Sequence, residues 1–472
     1  MKVTKDETKE STKRNCGCGY CQMASAERGE YDRALIACRI TENDDTDAPT
    51  ALDLMEKIAN RDNLNAAYIR VRKNKGSGGV DKMEMAELLP YLKEHAMEIR
   101  QSLMDGSYRP YPVRGVEIPK DNGKKRRLNI PTLRDRVIQQ AVLQQLTPRY
   151  EPQFVETSYG FRPGRSCHDA LKKSQEYLNQ GYVWTVDMDL EKFFDTVNQS
   201  KLIEILSRTI KDGRVISLIH RFLRAGAVWC GRFDKTTQGI PQGGPLSPLL
   251  ANIMLSELDH ELEARGHKFV RYADDMVIFC KSKASAIQTL NHITPYIERK
   301  LFLKVNMEKT VVAYASKIKF LGYGFYKGKS GFRFRVHTKS QRKLWDKLRG
   351  LTNRRKIIEL EEWKRKLRYA VVGWVNYYKL ADMWKLLAKT DEWLRRRIRM
   401  IILKKWKRVR TKYKNLRQLG ISHENALRQA NSRKGLWCSA ETPVIHQALN
   451  NERLERNGFT FLLPRYEAVS IS

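Results

Sequence analysis

Two short acidic stretches carry the clearest chemistry of the chain. In VRYADDMVIFC, residues 270–280, Asp274 and Asp275 stand side by side between two apolar, β-rich runs, which puts them at or near a hairpin tip. In VWTVDMDLEKFFDTV, residues 183–197, strand alternation places Val183, Thr185, Asp187 and Asp189 on one face and Trp184, Val186, Met188 and Leu190 on the other. Adjacent carboxylates repel, and burying either one is costly unless a cation answers it. If the two elements neighbour each other in one sheet, three carboxylates converge, and divalent cations bridging them turn repulsion into coordination. Mg²⁺ suits such a site because it prefers oxygen ligands and retains water or phosphate oxygens. Two ions about 3.5–4 Å apart can activate an attacking hydroxyl and stabilise the leaving oxygen of an in-line displacement at phosphorus, so the chemistry is phosphoryl transfer. A plainer arrangement uses the same residues: Asp187 and Asp195 cap or terminate elements, and the Asp274–Asp275 pair sits in an ordinary polar turn.

The elements that must position these groups follow from periodicity. Helical spacing over residues 51–76 and 85–106, separated by GSGGVD, predicts two helices before the first strands. RGVEIPKDNGKKRRLNIP alternates apolar and polar residues on both sides of KDNGKK, a β-hairpin signal whose basic tip suits a phosphate. Helices are predicted around 134–154 and 167–181, a strand over 182–190, further helices to about 225, a Gly/Pro break over 236–248, and a helix over 249–266. The strand pair holding YADD follows, then FLGYGF and the strand FRFRVHT. This is a mixed α/β order. From about residue 339 the composition turns helical, basic and Trp-rich. In residues 391–414, eleven of 24 residues are Lys or Arg against two acids, too one-sided for neighbouring pairs to neutralise. Trp345, Trp363, Trp374, Trp384, Trp393 and Trp406 are interleaved with those cations, most of them as core anchors and some as platforms on which bases can stack.

At 472 residues and 41 % hydrophobic, the chain is long and apolar enough for two or three folded domains. With 88 Lys and Arg against 53 Asp and Glu, a formal charge of +35, it calls for a polyanionic partner, nucleic acid ahead of a membrane surface. The N-terminus lacks the apolar core of a signal peptide and no apolar run approaches the roughly 18 residues of a membrane span, so a cytoplasmic protein is expected. Five of the eight cysteines (Cys38, Cys167, Cys230, Cys280, Cys438) stand alone and read as reduced thiols. Cys16, Cys18 and Cys21 form CGCGYC. These either supply three zinc ligands, with Cys38 as a distant fourth, or belong to a solvated tail. Residues 1–50 show no sustained periodicity and read as a poorly ordered or separately docked extension.

The set YADD (272–275), VDMDLEKFFDTV (186–197), YGFRPGRSCHDAL (159–171), TQGIPQGGPLSPLLANIML (237–255), LKVNMEKT (303–310) and FLGYGF (320–325) resembles, in order and spacing, the successive blocks of bacterial group II intron reverse transcriptases. NKGSGGVD (74–81) looks like the N-terminal extension block of that family, and GWVNYY (373–378) matches its maturase thumb motif. The resemblance runs from about residue 51 to the C-terminus. It implies an α/β right-hand polymerase, with fingers and palm carrying an antiparallel sheet over residues 51–337. An α-helical thumb or maturase (X) domain over 338–410 and a basic DNA-binding region over 411–472 complete the implied architecture. The implied metal ligands and catalytic residues are Asp189, Asp274 and Asp275, with Asp187 as the alternative to Asp189 and with two Mg²⁺ ions, or Mn²⁺ in their place. Lys120 and Arg126 match the finger cations that hold the triphosphate. Phe194 matches the ring that leaves no room for a 2′-hydroxyl, and Gln242 and Gly243 match the element that contacts the incoming nucleotide. Lys309 resembles the lysine after the palm, and Phe320, Leu321, Gly322 and Tyr323 look like the primer grip. The implied partners are a group II intron RNA, an RNA template with a DNA primer, deoxynucleoside triphosphates and target DNA, in a cytoplasmic, nucleoid-associated ribonucleoprotein without membrane contact. The optional endonuclease domain of the family is expected to be missing. Two other functions use the same residues: an RNA-binding maturase whose polymerase site is idle, and a reverse transcriptase repurposed for defence or repair.

Overall fold

The computed structural model of the chain describes residues 53–119, 123, 125–355 and 359–470. The extension over residues 1–50, with Cys16, Cys18, Cys21 and Cys38, lies outside the described residues, as do Lys120 and most of the basic hairpin tip. The described residues form two compact units, 53–337 and 338–470.

The first unit opens with four helices where the spacing predicts two: α1 (Asp53–Ala59), α2 (Arg61–Lys73), α3 (Met85–Glu94) and α4 (Ala96–Met104). The first split occurs because the Asn60 side chain accepts the Asp62 N–H and caps a new helix. The second falls at His95, which ends one helix and begins the next. The basic hairpin is present as β1 (Val113–Pro119) and β2 (Lys125–Ile130), paired antiparallel from Arg114↔Ile130 to Pro119↔Lys125. It belongs to a four-stranded sheet of order β2-β1-β4-β5, with β4 (Ala227–Trp229) running parallel to β1 and β5 (Arg232–Asp234) antiparallel to β4. The long helices α5 (Leu133–Tyr150) and α6 (Cys167–Asn179) follow, each with a side-chain N-cap, Thr132 and Ser166.

The second sheet carries the acidic stretches and is antiparallel throughout, in the order β6 (Lys268–Tyr272), β7 (Asp275–Cys280), β3 (Trp184–Met188), β8 (Val311–Tyr314). Val186, Val277 and Ile278 are fully buried in it. The helix Lys283–Lys300 packs on β3, β7 and β8, and the helix Ser247–Ala264 packs on β6. A separate hairpin, β9 (Tyr323–Gly328) with β10 (Gly331–Val336), is tied to α6 through Gln175 and Asn179.

The named elements of the second unit, among the described residues, are all helices. Its long helices are Thr338–Leu351, Leu360–Tyr378 and Trp384–Lys405. The final helix, Leu462–Ser470, packs against the last two of these, so packing runs across the expected 410/411 boundary. The tryptophans are less buried than expected of core anchors. Trp363 is buried, Trp384 is exposed, and Trp345, Trp374, Trp393 and Trp406 lie between. Trp345 and Trp393 stack on each other, with ring centroids 5.0 Å apart.

Candidate active site

The last registered pair between β3 and β7 is Met188↔Met276, so the next position along each strand sets Asp189 opposite Asp275. Asp274 lies one residue earlier, in the two-residue turn joining β6 to β7. The three carboxylates predicted to converge therefore share one end of one sheet. Asp275 is exposed, but the protein around its carboxyl strips part of its hydration, and this, together with repulsion from Asp274 and Asp189, pushes it up to about 6. Asp187, two residues before Asp189, is half-buried, and burial with the charges of Asp275 and Asp189 pushes it up to about 7. The Lys319 ammonium opposes both shifts.

The segment 303–310 is laid against Asp189. Leu190 bridges Val305, the Asn306 N–H donates to the Asp189 carbonyl at 2.8 Å, and the Asp189 N–H donates to the Thr310 hydroxyl at 3.3 Å. Lys309 Nζ reaches the Asp189 carboxylate at 2.9 Å. Among the described residues no three His, Cys, Asp or Glu side chains stand at coordinating spacing. The donor set nevertheless suits a hard divalent cation: carboxylate oxygens are grouped at one sheet end, and their mutual repulsion is what a bound cation would relieve.

Phe193 is buried in the core, whereas Phe194 is only partly buried against it. The Phe194 carbonyl accepts the Ile240 N–H at 2.7 Å, which fastens the Gly/Pro loop beside the aspartate strand. Two residues on, the Gln242 carbonyl accepts the Asn129 N–H at 2.7 Å, and Arg126 Nε donates to Gln242 Oε1 at 3.0 Å. Gly243, at φ +132°, passes so close to the hairpin that a Cβ would lie 2.5 Å from the Asn129 carbonyl oxygen. Arg126, Gln242 and Gly243 thus belong to one set of contacts, through the loop, that ends at Phe194, five residues after Asp189. At the other side, Phe320 and Tyr323 exchange both backbone hydrogen bonds, at 3.0 and 2.9 Å, around Leu321 (φ +48°) and Gly322 (φ +83°). Both side chains at the base of this tight turn are buried.

Lys319 and Asp187 are the members of the site that sequence reasoning missed or ranked second. The signal for Lys319 was a cation directly before FLGYGF, and that for Asp187 was its shared strand face with Asp189.

The reverse transcriptase (RNA-dependent DNA polymerase) family matches residues 118–325, and the group II intron maturase-specific domain matches residues 341–420. Protein YkfC of Escherichia coli (strain K12) is 34 % identical over 293 residues, covering 54 % of this chain and 77 % of YkfC. Group II intron-encoded protein LtrA of Lactococcus lactis subsp. cremoris is 34 % identical over 307 residues, 51 % of each chain, so the match spans about half of LtrA. A polymerase domain with carboxylates at a strand end and a helical maturase domain define the class, an RNA-directed DNA polymerase. The chain belongs to the group II intron-encoded reverse transcriptase and maturase family. Reverse transcriptases generally use divalent metal ions. No helix among the described residues is long and apolar enough to cross a membrane.

Proposed function

We propose that the chain extends a DNA primer on an RNA template and, as a maturase, binds its parent intron RNA to promote splicing and mobility by target-primed reverse transcription. The observation that carries this reading is the meeting of Asp189 with the Asp274–Asp275 turn at one sheet end, beside the loop that pairs Gln242 with Arg126. Asp189, Asp274 and Asp275 would hold two Mg²⁺ ions. When bound, these supply activation of the primer 3′-hydroxyl and neutralisation of charge developing at the transferred phosphate. Arg126 and Lys120 bind the triphosphate, the former with a planar fork suited to phosphate oxygens. Gln242 and Gly243 bring side chain and backbone against the nucleotide. Phe194 excludes a 2′-hydroxyl by bulk and by offering it no hydrogen bond. Lys309 is placed to leave Asp189 for an anionic substrate group, and Phe320 to Tyr323 orient the primer end. In this reading residues 51–337 are fingers and palm, 338–410 thumb and maturase domain, and 411–472 a DNA-binding region. The site of action is the cytoplasmic ribonucleoprotein and its target DNA.

The test is primer extension on an RNA template. Replacing Asp274 and Asp275 together by Ala is expected to abolish synthesis while RNA binding and splicing assistance persist. Splicing lost in parallel with synthesis would refute the division of labour, and an inactive wild type would favour the RNA-binding maturase with an idle polymerase site.

A further inference from the structure

We propose that Arg271, Asn252 and Gly160 form a clamp that sets the Asp274–Asp275 turn for metal binding, and that these are positioning residues for the polymerase site. The inference rests on the reading of those aspartates as metal ligands.

The turn needs holding. Ala273, its first residue, has φ +58°, the left-handed region that a side chain with a Cβ disfavours. From inside, the neighbouring Arg271 supplies the hold. Its side chain is 1 % exposed, and Nε donates to Asp259 Oδ1 at 2.7 Å and Oδ2 at 3.0 Å, which neutralises the buried charge. A purely structural ion pair would end there. Instead Nη1 donates at 3.0 Å to the Ala273 carbonyl, within the turn itself, and at 2.9 Å to Asn252 Oδ1.

From outside, the turn is closed by the segment ending in Gly160. Asn252, 1 % exposed, donates through Nδ2 to the Gly160 carbonyl at 2.8 Å, so one amide joins the guanidinium to the outer wall. A Cβ on Gly160 would run into the Ala273 backbone nitrogen. The segment is registered on β6, with Tyr159 N donating to the Arg271 carbonyl at 2.9 Å and Arg271 N to the Thr157 carbonyl at 3.0 Å. A second buried arginine, Arg162, braces the segment by donating to the Val155 and Ser158 carbonyls at 2.6 and 2.9 Å and to Glu151 Oε1 at 2.9 Å. The residue that begins the turn is thus gripped on both sides by groups outside the carboxylate cluster. Outer groups of this kind orient metal ligands and tune affinity.

The experiment uses the full chain and Mn²⁺, whose binding is read by electron paramagnetic resonance independently of turnover. Asn252→Ala is expected to weaken Mn²⁺ binding roughly tenfold and to lower kcat about 10- to 100-fold. The KM for nucleotide and the affinity for template–primer should stay within about twofold, since the clamp touches neither. Gly160→Ala approaches the same turn from the opposite side and should reproduce the defect. Asn252→Asp, which keeps the acceptor for Arg271 and loses the donor to Gly160, should recover part of the metal affinity. Folded Asn252→Ala and Gly160→Ala proteins that bind Mn²⁺ as the wild type does would overturn the proposal. So would a loss of folded structure in both, which would make the clamp architectural. A wild type that neither binds Mn²⁺ nor extends a primer refutes the metal reading itself, separately from the clamp.

Discussion

Arg271 in the 53–337 unit and Arg399 in the 338–470 unit are both buried, at 1 % and 4 % exposed, yet they are answered differently. Arg271 meets the carboxylate of Asp259, itself fully buried. Arg399 meets neutral groups: the Leu449 carbonyl at 2.9 Å, Asn451 Oδ1 at 3.3 Å and the His446 ring at 3.1 Å. Burial and the nearby Arg395 lower its pKa, and Arg397, donating to Thr352 Oγ1 and the Thr352 carbonyl, is lowered by burial and Arg349. The same contrast holds at large scale. Residues 338–472 carry 33 Lys and Arg against 12 Asp and Glu, which is +21 of the chain's +35 in its last 135 residues, and residues 1–337 hold the other +14. One unit cancels a buried charge to fix a geometry, while the other leaves charge over for a polyanion.

The largest effect that would sharpen this contrast is at the carboxylates. Asp189→Asn should cut primer extension by at least about 10³-fold, whereas Asp187→Asn should cost less than about tenfold. The reverse order would move the first metal ligand to Asp187. Next comes stability. Arg271→Met strands the Asp259 carboxylate in the interior and should cost about 3–5 kcal/mol by denaturant melting. Arg399→Met leaves only unsatisfied neutral acceptors and should cost about 1–3 kcal/mol. Equal losses would erase the distinction between the units.

Asp391 offers a pH-dependent test within the helical unit. Its carboxylate accepts the Leu462 and Leu463 N–H groups at 2.9 and 2.8 Å, while burial pushes its pKa up to about 6. The folded value lies above the unfolded one of about 3.9. The native state therefore binds more protons than the unfolded state between about pH 4 and 6, and stability falls as pH rises through that window. Asp391→Asn should flatten that slope in melting temperature against pH, and Asp391→Ala should cost about 1–3 kcal/mol by freeing two buried donors. Smallest is the effect of exposed charge. Replacing Lys404, Lys405 and Lys407 by Gln should lower the slope of log RNA affinity against log salt by about 0.7 for each phosphate that these lysines neutralise. An unchanged slope would place the RNA elsewhere.

Local patterns made much of the polymerase unit legible in advance. Alternation with a short polar break gave the YADD hairpin and the basic hairpin, and helical periodicity gave α5 and α6 to within a few residues. Where the sequence misled, the deciding partner was distant or the deciding interaction was a cap. Two helices became four because Asn60 and His95 interrupt apolar spacing without Gly or Pro to mark the break. Arg271 reads as a cation on a strand, and nothing local says that Asp259 on the preceding helix will bury it. Lys319 is one lysine among many until folding sets it beside Asp187 and Asp275. The tryptophans signal apolar mass, but their half-exposure depends on how sparsely a helical unit so rich in cations can cover them.

The loop spanning Ile240 to Gly243 is fastened at both ends through main-chain atoms, to Phe194 on one side and to Asn129 on the other. These main-chain anchors do not depend on the side chains at Ile240 and Gln242, but Gly243 leaves no room for a Cβ against Asn129, and Arg126 holds the Gln242 side chain as well. Selection, or an engineer, can therefore revise the ring at Phe194 without unmooring the loop, whereas a change at Gln242 also releases Arg126.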